Sequence, residues 1–161
     1  MGKIIYLMGK SSSGKDTVYK RLLEQKEPAL HTVVLYTTRP VRAGETDGTE
    51  YHFTDEAGFQ KMREKGKVIE DRVYHTVQGL WRYFTVVERE TFEAEKNYLM
   101  IGTLVSYEKV RDYFGGEKMV PVFIDLDDGE RLQRALDRER AQGAPQYEEM
   151  CRRCLADVQD F

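Results

Sequence analysis

Residues 3–17, KIIYLMGKSSSGKDT, constrain the fold more than any other stretch of the chain. Lys3 to Met8 is apolar overall, as expected of a strand covered on both faces, and Gly9 to Gly14 punctuates it. Val18, Leu22 and Leu23 then recur near one helical stripe, with lysines and Glu24 on the other side. A strand, a glycine loop and a helix in that order begin a parallel α/β unit. Gly9-Lys10-Ser11-Ser12-Ser13-Gly14-Lys15 also fits the G-x-x-x-x-G-K pattern of a phosphate-binding loop, in the strand-to-helix context that the pattern requires. Successive backbone N–H groups can surround phosphate oxygens, the helix N-terminus adds a favourable partial charge, and Lys15 adds a full one. The next position of the pattern usually carries a hydroxyl that reaches magnesium, and here it is Asp16, followed by Thr17. Two readings of Asp16 stay open. It is a hard oxygen ligand for the metal, direct or through water, or it is a helix-start carboxylate stabilised by the dipole.

The rest of the chain keeps alternating. HTVVLYTTR, residues 31–39, reads as a second, buried strand because of its β-branched residues, and PVRAGETDGTEYHF then leaves the core through Pro40, Gly44 and an Asp47-Gly48 turn. A short polar helix is expected over about 54–66. KVIEDRVYHTV and LWRYFTVV read as strands joined at Gln78-Gly79, which makes the region near 40–85 a mainly β insertion. Helical spacing resumes over about 88–95, YLMIGT is a buried strand, 107–114 a helix, and MVPVFIDL another strand. DDGERLQRALDRERAQ is a charged helix that Gly143 and Pro145 break, and a last helix runs from about Tyr147 to the end. The order predicts an α/β fold of three layers, α/β/α, around a central parallel sheet, with a β-rich insertion and a helical arm rich in arginine.

At 161 residues this is one domain, and no apolar run approaches the roughly 20 residues of a membrane helix. The apolar start leads straight into the glycine loop with no small-residue cleavage site, so a cytoplasmic protein is expected. With 28 acidic against 25 basic side chains the net charge is −3, which favours neither DNA nor RNA as a partner. Any anion site must be local. Cys151 and Cys154 form a Cys-x-x-Cys inside an apparent helix with no second Cys/His pair nearby, so they read as ordinary helix residues.

TTRPVRAGETDGTEY sets Arg39 and Arg42 three positions apart around Pro40, with Tyr51 beyond a turn. Two guanidinium forks on a rigid turn suit a phosphate monoester, although an arginine pair alone is often only solvated surface. At this point the chain resembles the guanylate kinase family. The resemblance runs over GKSSSGKDT, TTRPVRAGETDGTEYHF, VIE with Glu70, YFT from Tyr83 to Thr85, RALDR and EEMCRR, almost the whole chain. Carried over position by position, it implies ATP and GMP as substrates, with magnesium accompanying the ATP. Gly9 to Thr17, with Lys10, Ser11, Ser12, Ser13, Gly14, Lys15 and Asp16, would hold ATP together with Arg134. Arg39, Arg42, Tyr51 and Tyr83 would hold the GMP phosphate, with Glu45 in support. Glu70 would accept hydrogen bonds from the guanine ring N–H and exocyclic amine, and Thr85 would add a contact. Lys15, Arg39, Arg138 and Arg153 would act on the transferred group. Arg140 and Arg152 read as surface residues.

The implied division is a core of 1–36, 86–127 and 147–161, a GMP-binding insertion of about 37–85 and a lid of about 128–146. Departures accompany the matches. Leu35 and Tyr36 stand where many relatives have serines, LMIGTLVSY lacks the acids common in the family, and relatives add a further strand and helix beyond position 161. A kinase for another nucleoside monophosphate, or a weak relative that only grips a phosphopeptide, are the alternative readings; the intact loop with Lys15 counts against the second.

Overall fold

A strand that is apolar on both faces can be satisfied only in the middle of a covered sheet, and β1 (Ile4–Met8) is there. Ile4, Tyr6 and Leu7 are wholly buried, and the strand pairs in parallel with β7 (Asn97–Gly102) on one side and β8 (Met119–Phe123) on the other. β2 (Leu30–Thr32) adds to the far edge of β7, so the sheet order is β2-β7-β1-β8, all parallel. The structure is a computed structural model that describes residues 2–42, 44–87, 92 and 95–161. Parallel neighbours need crossover connections, and α1 (Lys15–Leu23) and α3 (Leu104–Phe114) supply them after β1 and β7. Register aligns Met8 with Gly102 and with Phe123, so the glycine loop and Thr103 leave the sheet from one edge, at the carboxyl ends of the strands. Open α/β sheets bind their ligands along this edge.

A second sheet holds β3 (Tyr36–Thr37), β4 (His52–Phe53), β5 (Val68–Thr76) and β6 (Gly79–Val86) in the order β4-β3-β6-β5. β3 and β4 are parallel, and the other pairs are antiparallel. α2 (Glu56–Glu64) starts at an Asp55 cap and buries Phe59 edge-on against Phe84, 4.9 Å between ring centres, beside Val86. The expected single strand over 31–39 is therefore two strands in two sheets. His31 and Thr32 lie exposed on the edge strand, Val33 and Leu35 drop into the main core, and Tyr36 begins the second sheet. The β-branched run is apolar enough to be buried, but the burial comes from turning between sheets and not from extending one.

The helix of 107–114 begins earlier, at Leu104. Thr103 and Ser106 cap each other there in a reciprocal box, a local device that periodicity alone does not register. Of the helix expected over 88–95, residues 88–91, 93 and 94 lie outside the described residues. α4 (Asp128–Arg140) is capped by Asp127, and α5 (Tyr147–Asp160) closes the chain. Among the described residues no helix is long and apolar enough to cross a membrane. Cys151 and Cys154 are free thiols on α5, the first exposed, the second raised in pKa by burial.

Candidate active site

The loop after β1 takes its shape from backbone positions that few residues tolerate. A side chain at Gly9 would come within 2.6 Å of the Ser13 hydroxyl and 2.9 Å of the Ile124 carbonyl, so the loop and the residue that follows β8 close onto a bare backbone. Gly14 takes φ 90° as the N-cap of α1, and Ser12 sits at φ 62°. Ser13 N–H donates to Lys10 O at 3.2 Å, which folds the loop over the helix start. The buried Ser12 and Ser13 hydroxyls find no hydrogen-bond partner among the described residues. Lys15 and Asp16 open the helix, with Lys15 Nζ 3.7 Å from the Asp16 carboxylate, which is 79% exposed. Thr17 is also exposed.

The turn after β3 builds a second group of cations. Arg39 is buried among aromatics, its guanidinium 5.0 Å from the Tyr51 ring centre and 5.3 Å from that of Phe53. Glu45 grips it with both oxygens, receiving Nη1 at 2.7 Å and Nη2 at 2.6 Å, and also accepts the Arg42 backbone N–H at 2.9 Å. The Arg39 hydrogen bond holds the Glu45 carboxyl below its usual range against the opposing effect of burial. Arg39 Nε is left without a partner among the described residues. Arg42 is exposed, with its guanidinium over Trp81. Tyr51 meets Tyr83 edge-on at 5.6 Å, and burial pushes its hydroxyl up to about 12.

Both groups face one cleft of about 280 Å³. Gly9, Ser11, Lys15 and Asp16 line it from the loop, Arg39, Arg42, Tyr51 and Tyr83 from the second sheet, and Arg153 from α5. Arg152, which reads as surface in the sequence, lines the cleft too. It is held on α5 by a double hydrogen bond to Glu149 at 2.8 and 2.7 Å, because three residues along a helix bring the two side chains together. Arg140 is exposed.

The remaining expected residues stand behind or away from this wall. Thr85 donates to Glu70 Oε1 at 2.7 Å, and the Glu70 side chain is wholly buried. Arg72 Nε donates to Glu70 Oε2 at 3.1 Å and Arg72 Nη1 to the Thr103 hydroxyl at 3.2 Å. Arg72, not Glu70, lines the cleft. Burial would pull the Arg72 value down, but the Glu70 charge and the tyrosines around it more than offset this and raise it. Arg134 and Arg138 on α4 are exposed and do not line the cleft, and Arg134 pairs with Glu130 at 2.5 Å. The stripe of α4 that turns inward is Arg131, Ala135 and Glu139.

No short motif in the sequence marks Arg131 or Arg72. Arg131 donates to Ser11 O at 2.8 Å and to Asp157 at 3.1 Å, and ties the start of α4 to the glycine loop. Asp128, one turn earlier and in reach of both Arg131 and Lys10, is the sequence signal for it. For Arg72 the signal is its place two residues from Glu70, hence on one face of a strand.

Similarity to known proteins agrees with this architecture. The guanylate kinase family model matches residues 1–158. The guanylate kinase of Mycobacterium bovis is 40% identical over 88 residues, 55% of this chain and 41% of that protein. That of Chromobacterium violaceum is 32% identical over 137 residues, 84% of this chain and 62% of the relative. Among solved structures, the guanylate kinase of Anaplasma phagocytophilum superposes with a TM-score of 0.65 at 26% identity, covering 84% of this chain and 67% of that one. The chain thus spans less than two thirds of the length of the first two relatives.

Proposed function

The chain belongs to the guanylate kinase family, and from that premise we propose that it transfers the γ-phosphoryl group of ATP to GMP, giving ADP and GDP in the cytoplasm. One observation carries the proposal. A phosphate-binding loop with its lysine and a separate arginine–tyrosine group face the same cleft, as a donor and an acceptor phosphate must in order to meet.

In this reading residues 1–36, 86–127 and 147–161 form the core, about 37–85 the GMP-binding part and about 128–146 a lid. Gly9, Lys10, Ser11, Ser12, Ser13, Gly14 and Thr17 shape the loop around the ATP phosphates, the Ser12 and Ser13 hydroxyls, unpaired among the described residues, being donors ready for anionic oxygen. Arg39, Arg42, Tyr51 and Tyr83 take the GMP phosphate, with Arg39 aimed by the Glu45 fork. Glu70 and Thr85 back the base end of the cleft. Lys15, with Arg138 and Arg153, offsets the charge that develops on the moving phosphoryl group, while Arg134 joins them on the ATP side as the lid closes. Phosphoryl transfer is largely positioning and charge neutralisation, and the acceptor oxygen already belongs to a phosphate, so no general base is required.

Magnesium fits the donor set that the loop offers. Asp16 lines the cleft beside Lys15, and magnesium is commonly held by one or two carboxylates completed by substrate phosphates and water. Among the described residues no cluster of three or more His, Cys, Asp or Glu is placed to hold a metal; substrate phosphates and water would complete the shell around Asp16. When bound, the cation neutralises charge on the donor phosphates.

The test is ATP consumption with GMP, AMP, UMP and CMP offered separately. GMP is expected to be the preferred acceptor; equal, slow hydrolysis of ATP with all four would sink the proposal. A phosphopeptide-gripping relative has no need for the loop and Lys15 to share the cleft with Arg39 and Arg42, and that shared cleft favours the kinase.

A further inference from the structure

We propose that Arg152 of α5 is a further substrate-contacting residue, which holds the acceptor phosphate through the outer edge of its guanidinium, with Glu149 as its positioning residue. The inference rests on the kinase reading above and concerns the same cleft.

Three tyrosines form a row along the cleft. Tyr51 meets Tyr83 edge-on at 5.6 Å, Tyr83 meets Tyr74 edge-on at 5.7 Å, and all three line the cavity. A cation stands at each end of the row, Arg39 at 5.0 Å from the Tyr51 ring centre and Arg152 at 5.7 Å from that of Tyr74. The Tyr83 hydroxyl, on the middle member, interacts electrostatically with both guanidiniums. Tyr74 donates to Asp160 at 2.6 Å, and this bond seats β5 against the last turn of the helix that carries Arg152. A phosphate bound at Tyr83 is then gripped from both walls, by the turn after β3 and by α5.

The two arginines spend different edges on their carboxylates. Arg39 gives Nη1 and Nη2 to Glu45 and Nη1 also to Pro40 O, so its outer edge is used, and only 3% of its side chain is exposed. Arg152 gives Nε and Nη2 to Glu149, at 2.8 and 2.7 Å, and so binds it side-on. Among the described residues its Nη1 has no partner, and the outer edge of Nη1 and Nη2 stays a complete fork for two phosphate oxygens. The Arg152 side chain is 23% exposed and lines the cleft, whereas the Glu149 side chain is 10% exposed. An ordinary surface pair is solvated on both members and holds neither in one geometry. Here a buried acid and a tyrosine ring fix the guanidinium, and its unspent edge is what remains for a ligand.

Calorimetric binding of GMP to the wild type and to Arg152→Ala, with KM for GMP and for ATP measured alongside, decides the matter. Arg152→Ala is expected to weaken GMP binding and raise its KM by at least about fivefold, as the loss of a charge-assisted contact implies, with KM for ATP within about twofold. A smaller change for GMP, or an equal one for ATP, would overturn the proposal. Arg152→Lys keeps the charge but cannot serve Glu149 and two phosphate oxygens together, so a loss of about threefold or more is expected. That variant carries the test where the alanine variant does not fold, and wild-type affinity in it would overturn the assignment. Glu149→Asp keeps the acid's charge and shortens its reach; it should weaken GMP binding about threefold in the wild type and no further in Arg152→Ala. Equal losses in both backgrounds would remove Glu149 from the role of positioning Arg152. If GMP binding depends on Arg152 but GMP is never phosphorylated, the kinase reading falls and the Arg152 assignment stands. GMP phosphorylation with a KM indifferent to Arg152 gives the reverse, and a wild type that binds no GMP overturns both.

Discussion

The carboxylate of Asp157 receives the backbone N–H of Ser11 on both oxygens, at 3.1 and 3.0 Å, and the Ser11 hydroxyl at 3.1 Å. The last helix thereby fixes the loop that follows the first strand, and Arg131 clamps the pair by donating to Ser11 O and Asp157 together. Asp157→Ala removes these acceptors and, among the described residues, leaves buried Arg131 with Asp128 alone as counter-ion. Loss of charge-assisted bonds at a buried pair should cost about 2–3 kcal/mol of stability in urea unfolding. Amide exchange at Ser11 should speed up as well; unchanged exchange would show that the loop holds its shape without α5.

How far the sequence foretells this site depends on how local each determinant is. The glycine loop and the Arg39–Arg42 turn are written in short spacings, and the structure brings both to one cleft. The second half of α4 is harder. Periodicity reveals a stripe through Arg134 and Arg138, but another through Arg131, Ala135 and Glu139 fits a charged helix equally well, and only the neighbouring loop and α5 decide which turns inward. Arg72 shares a strand face with Glu70, but which face is inner follows from β5 being the edge strand beside β6 and near α3, a tertiary fact. The division of residues 31–39 between two sheets has the same cause, since a β-branched run reports burial without saying which sheet supplies it.

The Arg39–Glu45 fork should make stability pH-dependent in one direction. The Glu45 carboxyl is held below its unfolded value chiefly by the Arg39 hydrogen bond, so its contribution is present above the unfolded carboxylate range and is lost as pH falls through the folded value. Glu45→Gln should therefore be less stable than the wild type by about 1–3 kcal/mol at pH 7, with the gap closing below about pH 4. Thermal unfolding of both proteins from pH 7 to 3 checks this; a constant gap would mean that the charge on Glu45 contributes nothing.

Arg42 is exposed at the cleft with its guanidinium over Trp81, free to turn toward a phosphate that carries no base information. Arg42→Lys keeps the charge but loses the planar fork, so KM should rise for every monophosphate accepted, by about tenfold, with their ranking unchanged. An effect confined to GMP would place Arg42 at the base and not at the phosphate.

Asp16 stands where the loop pattern has a hydroxyl, 3.7 Å from Lys15 and largely exposed to the cleft. A carboxylate there repels the phosphates of metal-free ATP, because two like charges at close range interact unfavourably even in water. With magnesium present the same carboxylate attracts, since a hard oxygen ligand is what that cation prefers. The sign of its effect on ATP binding therefore turns on the cation alone. Asp16→Ser should bind metal-free ATP about three- to tenfold more tightly, while needing several times more magnesium to reach half-maximal activity, with activity at saturating magnesium nearly unchanged. Titrating magnesium at fixed ATP for both proteins separates the two readings of this residue: curves that coincide would leave Asp16 as a helix-start charge acting on the α1 dipole, with no hand in holding the metal.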